Sequence, residues 1–216
     1  MKVIPHMHDF VSTLSPAAQE KFESLCVQRQ IDKGETVYRQ GDDPTELYQV
    51  VEGAVKICNF SLEGREVITG QFQPGDCFGE MGLIDGLPRV SHAIASMNTV
   101  LRVLPKARFD ELTRAFPEVD RQLALMLCRR VRYLYSLNEE ASELSLNQRV
   151  ARTVLRMAFS RSSANVDREI YISISQEEMG QMLGASRQSI NKELKALAAD
   201  DILELRYGRI YIRDLE

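Results

Sequence analysis

The sequence predicts an α+β fold: an N-terminal roll of antiparallel β-strands of the jelly-roll kind, one long helix, and a C-terminal winged helix-turn-helix. Three observations predict it. Glycines at 34, 41, 53, 64 and 75 punctuate short apolar segments as far as Pro105; apolar residues then recur in alternating steps of four and three from Leu123; and two serine-capped helical segments meet at Gly184. The parts expected from this are residues 1–117, 118–144 and 145–216.

A chain of 216 residues is long enough for two domains. With 44% hydrophobic and 27% charged residues it can bury real cores. The opening Met1-Lys2-Val3-Ile4-Pro5-His6 has no apolar leader core, and no later stretch approaches the ~20 apolar residues of a membrane helix. The expectation is a cytoplasmic protein with no membrane partner. Cys26, Cys58, Cys77 and Cys128 lie far apart without a Cys-x-x-Cys pair, so no metal site is expected. The net charge of −4 is unevenly spread: residues 1–145 carry 16 Lys and Arg against 21 Asp and Glu, and residues 146–216 carry 11 against 10. Acidity therefore belongs to the front, and any nucleic-acid contact must rest on local placement.

The first element is a short amphipathic helix around Ser15-Pro16 to Phe22. From Gly34 to Pro105 turn signals come every 7 to 12 residues between segments such as Leu47–Val51 and Val67–Phe72, the spacing of a β-sandwich or jelly roll. From Glu118 the period lengthens. Leu123, Leu127, Leu134, Leu137, Ala141 and Leu144, with Arg130 at the one polar step, form a seam for pairing with a second copy as a two-stranded coil. The competing structure is a helix packed on its own domain. Ser145-Leu146-Asn147-Gln148 offers a capping box that starts a new helix, which makes Ser145 the expected hinge.

Ser175 with Glu178 caps the next helix, Gly180 permits close crossing, Gly184 takes the turn, and Ser186 caps the helix after it. On that last helix Ile190, Leu194 and Leu197 share an inward face, opposite Arg187, Gln188, Asn191, Lys192 and Lys195. Long donors near a helix N-terminus suit the major groove: Arg and Lys address guanine, and Gln or Asn address adenine. Leu203 to Ile212 then alternates around Tyr207-Gly208 as a hairpin wing. No Ser/His/Asp or Cys/His constellation or phosphate-cradling glycine loop emerges, so no catalytic residue and no enzyme is expected.

The glycine-punctuated front, Phe78-Gly79-Glu80-Met81-Gly82-Leu83 followed by Pro88-Arg89, the long helix, and Gly184-Ala185-Ser186-Arg187-Gln188-Ser189-Ile190 together resemble the catabolite-activator (CRP/FNR) family of bacterial transcription factors. The resemblance implies a cyclic-nucleotide-binding-type roll whose ligand state turns the DNA-reading helices through the dimerisation helix. It implies base contacts at Arg187, Gln188 and Lys192, and phosphate contacts at Gln176, Ser186 and Ser189. Its partners would be a pseudo-palindromic duplex, a second copy of the chain, and RNA polymerase. Gln188 and Lys192 stand where the cAMP-dependent archetype has Glu and Arg, so the half-site is not transferable, and Glu193 replaces a usually apolar residue.

For the roll, the resemblance places Gly79 and Glu80 at a ribose and Arg89 on a cyclic phosphate. Val90 stands where a hydroxyl residue is usual, and Leu134 and Tyr135 where two adenine-binding hydroxyls would be. The effector stays open between cAMP, another nucleotide, a different small molecule, and none; Arg89 could equally be framework bonded to backbone. A haem held by His92 and Cys77 is a weaker reading, and His6 and His8 are taken as part of a loose terminus.

Overall fold

The computed structural model describes residues 7–161, 171–206 and 209–213. They divide into two compact units, His6–Arg132 and Tyr133–Glu216.

The first unit opens with helix α1 (Pro16–Leu25), where Ser15 accepts from the Ala18 amide and Pro16 takes the first helical position. Eight strands follow, the glycine-marked segments of the sequence: β1 (Val27–Ile31), β2 (Thr36–Tyr38), β3 (Glu46–Glu52), β4 (Val55–Phe60), β5 (Glu66–Phe72), β6 (Cys77–Phe78), β7 (His92–Ala95) and β8 (Thr99–Pro105). They form two antiparallel four-stranded sheets, ordered β1-β8-β3-β6 and β2-β7-β4-β5. Tyr48, Val50, Val55, Phe72, Phe78 and Leu101 fill the roll between them. A short helix α2 (Glu80–Asp85) interrupts the strands, and helix α3 (Lys106–Ala115) follows them.

Helix α4 (Glu118–Glu143) is the long helix, and its first half is not free. Val119, Leu123 and Met126 join Phe10, Phe22, Leu47 and Leu112 in a second core. Leu123 is 2% exposed, so it packs on its own domain and cannot meet a partner chain. Arg130 is likewise turned inward, with its guanidinium bonded to Glu80 and Cys77. These two residues leave the expected seam. Leu127, Leu134 and Ala141 belong equally to a second stripe, which runs through Val131, half exposed. Leu127, Leu137 and Leu144 are half-buried, whereas Leu134 and Ala141 are exposed.

In the second unit helix α5 (Leu146–Arg161) begins at Ser145, whose Oγ accepts from the Gln148 amide while Gln148 Oε1 accepts from the Ser145 amide. Glu140, buried on α4, pairs with Arg156 at 2.7 Å and Arg152 at 3.1 Å. Strand β9 (Tyr171–Ser173) precedes helices α6 (Gln176–Leu183) and α7 (Arg187–Ala199) and strands β10 (Leu203–Arg206) and β11 (Arg209–Ile212). The hairpin pairs Leu203 with Ile212 and Arg206 with Arg209, and β9 adds a third strand against β11. The turn expected at Tyr207-Gly208 lies outside the described residues, as does His6.

Candidate nucleic-acid interface and roll cavity

Local capping chemistry builds the helix pair. Both bonds of the capping box are made at Ser175 and Glu178, and Ser186 Oγ accepts from the Ser189 amide at 3.1 Å. Gly184 closes α6 in the left-handed region at φ 64°. Gly180 answers to space: a Cβ there would sit 2.5 Å from the Ala185 carbonyl oxygen, so only glycine lets the turn fold back this closely.

With Ile190, Leu194 and Leu197 buried, α7 has one fixed rotation about its axis. That rotation leaves Arg187, Gln188, Lys192 and Lys195 exposed. Asn191 is half-buried and its Oδ1 accepts from Gln176 Nε2 at 3.4 Å, which ties a base-reading candidate to a phosphate candidate. Ser186 and Ser189 are joined through their hydroxyls at 2.9 Å. Glu193, the polar residue at an apolar position, accepts from Asn147 Nδ2 at 3.0 Å and so holds α7 to α5.

A cleft of about 720 Å³ opens between the start of α6, the start of α7 and the wing, and Gln176, Arg187, Arg206 and Arg209 line it. The sequence reading passed over the wing arginines. Arg209 lies over the Tyr171 ring at 4.5 Å and Arg206 over Tyr211 at 5.0 Å. Hydrogen bonds from Arg206 and Arg213 hold the Glu204 carboxyl down at about 2.

In the roll, Gly79, Glu80, Arg89 and Val90 line one cavity of about 100 Å³ with Tyr38, Phe78, Ser91 and Arg130. Gly79 adopts φ 85°, and a Cβ there would lie 2.9 Å from Arg89 Nη1. Arg89 donates to the Gly79 carbonyl at 2.5 Å and the Glu46 carbonyl at 2.6 Å, with its guanidinium 4.4 Å above Tyr38.

Glu80 is 1% exposed and accepts from Arg130 Nη1 at 2.5 Å; Arg130 also donates to the Cys77 carbonyl at 2.7 Å and to His8 Nδ1 at 3.0 Å. His8 therefore corrects the expectation of a loose terminus. It packs edge-on to Phe72 at 4.7 Å, and burial, then the Arg130 charge, lowers its pKa to about 3. Burial pushes the Tyr38 hydroxyl and the Cys77 thiol upward. Glu80 Oε2 and Arg89 Nε are buried and make no hydrogen bond within the described residues.

Val90 is 59% exposed, and its neighbour Ser91, 7% exposed, lines the cavity beside it. The signal was in the strand period, because residues 91, 93 and 95 are buried and the residues between them are not. Leu134 and Tyr135, in the second unit, are 60% and 73% exposed. Among the described residues no three of His, Cys, Asp and Glu gather as a metal set, and no helix is long and apolar enough to cross a membrane.

Residues 28–116 match the cyclic nucleotide-binding domain family and residues 148–216 the Crp-like helix-turn-helix domain family. The chain is 30% identical over 190 residues to the CRP-like cAMP-activated global transcriptional regulator of Mycobacterium tuberculosis, covering 85% of this chain and 83% of that protein. It is 28% identical to the cyclic AMP receptor protein of Thermus thermophilus over 214 residues, 99% of this chain and 94% of that one. Among solved structures, FixK2 from Bradyrhizobium japonicum superposes with a TM-score of 0.78 at 23% identity, covering 88% of this chain and 93% of that chain, which speaks for the fold alone.

Proposed function

The chain belongs to the CRP/FNR family of transcriptional regulators, which are not enzymes and carry a cyclic-nucleotide-binding-type domain and a DNA-binding helix-turn-helix, and from that premise we infer that it works as an effector-controlled homodimer reading a pseudo-palindromic DNA site. The observation that carries this reading is the exposed N-terminal face of α7, held in rotation by Ile190, Leu194 and Leu197. A helix entering the major groove by its first turns needs such a face. Arg187 and Lys192 are assigned to guanine edges and Gln188 and Asn191 to adenine, with Gln176, Ser186 and Ser189 on phosphates. Twofold pairing through α4 sets two copies of α7 against half-sites about one helical turn apart. The division of labour is roll at 1–117, dimer helix at 118–144 and reading domain at 145–216, with RNA polymerase as the further partner.

Control runs from the roll into α4, because Arg130 on that helix is hydrogen-bonded to Glu80 on the cavity wall. cAMP is one candidate effector and another small molecule a second. A specific observation favours a third reading, DNA binding without a ligand: the cavity of about 100 Å³ is well below the ~300 Å³ usual for ligand pockets, and Arg89 is already engaged by two carbonyls.

The test is selection of binding sites from random duplex DNA by the purified protein, with and without cAMP. A palindrome recovered only with cAMP makes this a cAMP-dependent regulator; recovery in both arms supports the ligand-free reading. No enriched sequence in either arm would overturn the assignment of α7.

A further inference from the structure

The open face of α4 has its own register. Ala124, Leu127, Val131, Leu134, Asn138 and Ala141 follow one another in steps of three and four, with Ala124, Val131 and Asn138 at heptad positions a and Leu127, Leu134 and Ala141 at positions d. Leu127 is half-buried and the other five are exposed. The neighbouring stripe at positions g is occupied within the chain: Leu123 sits in the core of the roll and Arg130 is bonded to Glu80.

We propose that Asn138 sets the register of the homodimer by pairing its side-chain amide with Asn138 of a second copy across the twofold axis. This rests on the homodimer reading above and names the residue that selects the alignment. A β-branched residue at a with leucine at d, as Val131 with Leu134, favours two strands, and one polar asparagine at a fixes alignment at a cost in stability. Asn138 meets both conditions: it is exposed on the chain, and its amide makes no hydrogen bond among the described residues. In an aligned parallel pair the two amides satisfy each other. A slip of one heptad sets one amide against Val131 and carries the other to Ser145, beyond the end of α4, so the mutual pair is lost and the amide at Val131 is left with its donors and acceptor unmade.

The experiment uses the full chain carrying Cys128→Ser and Ala141→Cys, with Asn138 retained or changed to Val. An aligned parallel pair brings the two residue-141 Cβ atoms together, so mild oxidation links the chains. With Asn138 retained, linkage is expected to approach completion. Asn138→Val is expected to lose at least about half of that linkage while the dimer dissociation constant falls about tenfold, the sign of a polar residue kept for alignment at the expense of stability. Equal linkage in both chains, a weaker dimer on Asn138→Val, or a dimer with no linkage when Asn138 is retained would each overturn the proposal and leave the homodimer standing. A chain that sediments as a monomer with Asn138 retained would instead overturn the homodimer reading itself.

Discussion

Arg130 on the long helix and Glu80 on the short helix meet at 2.5 Å with the carboxylate 1% exposed, although 50 residues separate them in sequence. Removing one partner of such a pair strands a buried charge. Arg130→Met should destabilise the first unit by about 3–5 kcal/mol. The double change Arg130→Met with Glu80→Met should recover part of that loss, because no charge is left behind, though the Cys77 carbonyl still lacks its donor. Urea unfolding of both variants checks this; equal losses would mean the pair is not coupled.

Two groups in the same neighbourhood respond to acid with opposite signs. Burial lowers His8 from 6.5 to about 3, so between those pH values the unfolded chain binds a proton that the fold refuses, and stability falls as the pH drops. Burial raises Asp76 from 3.8 to about 6, opposed by its bond from the Gln73 amide and reinforced by Asp9. The fold then binds a proton sooner than the unfolded chain, and stability rises as the pH drops from about 6 to 3.8. In the unmodified protein the two offset each other at about 1.4 kcal/mol per pKa unit. His8→Gln should therefore become relatively more stable towards pH 4.5, and Asp76→Asn relatively less, in thermal melts compared with the parent chain. Parallel curves for all three would refute the assignment.

Gly180→Ala should destabilise the second unit by about 1–3 kcal/mol through the 2.5 Å approach to the Ala185 carbonyl, and leave the roll untouched. Amide hydrogen exchange reads the two units separately. Faster exchange confined to α6 and α7 is the expected pattern.

Arg187→Ala should weaken binding to the selected site by about 1–3 kcal/mol and relax preference at one base pair of each half-site, with the oligomeric state unchanged. Affinity titrations against the selected duplex and its single-base variants check it. Lys195→Ala, exposed on the same face but further along the helix, should lose affinity uniformly across sequences. Unchanged sequence preference in Arg187→Ala would remove α7 from the role of reader.

The legible parts of this chain are those whose chemistry is local. Ser175, Glu178, Gly184 and Ser186 act within four residues of themselves, so the helix pair could be read directly. The buried stripe of α7 was also legible, since Ile190, Leu194 and Leu197 recur at helical spacing. The inward turn of Leu123 and Arg130 on α4 was not legible because Leu127, Leu134 and Ala141 belong equally to two adjacent stripes. Only the packing of Leu123 in the roll distinguishes them. Partners far apart in sequence were not accessible at all, as with Arg130 and His8, which are 122 residues apart. Strand β9 was missed because three residues carry too little alternation to stand out before they pair with β11.

The residue proposed to join two chains and the residue proposed to touch DNA lie on different helices, Leu134 on α4 and Arg187 on α7. That separation has a genetic signature. A chain carrying Arg187→Ala keeps its pairing face and so enters mixed dimers with normal subunits, each mixed dimer having one blind half; in a cell expressing both alleles the defect is dominant. A chain carrying Leu134→Asp withdraws from pairing and leaves the normal subunits to find one another, so its defect is recessive.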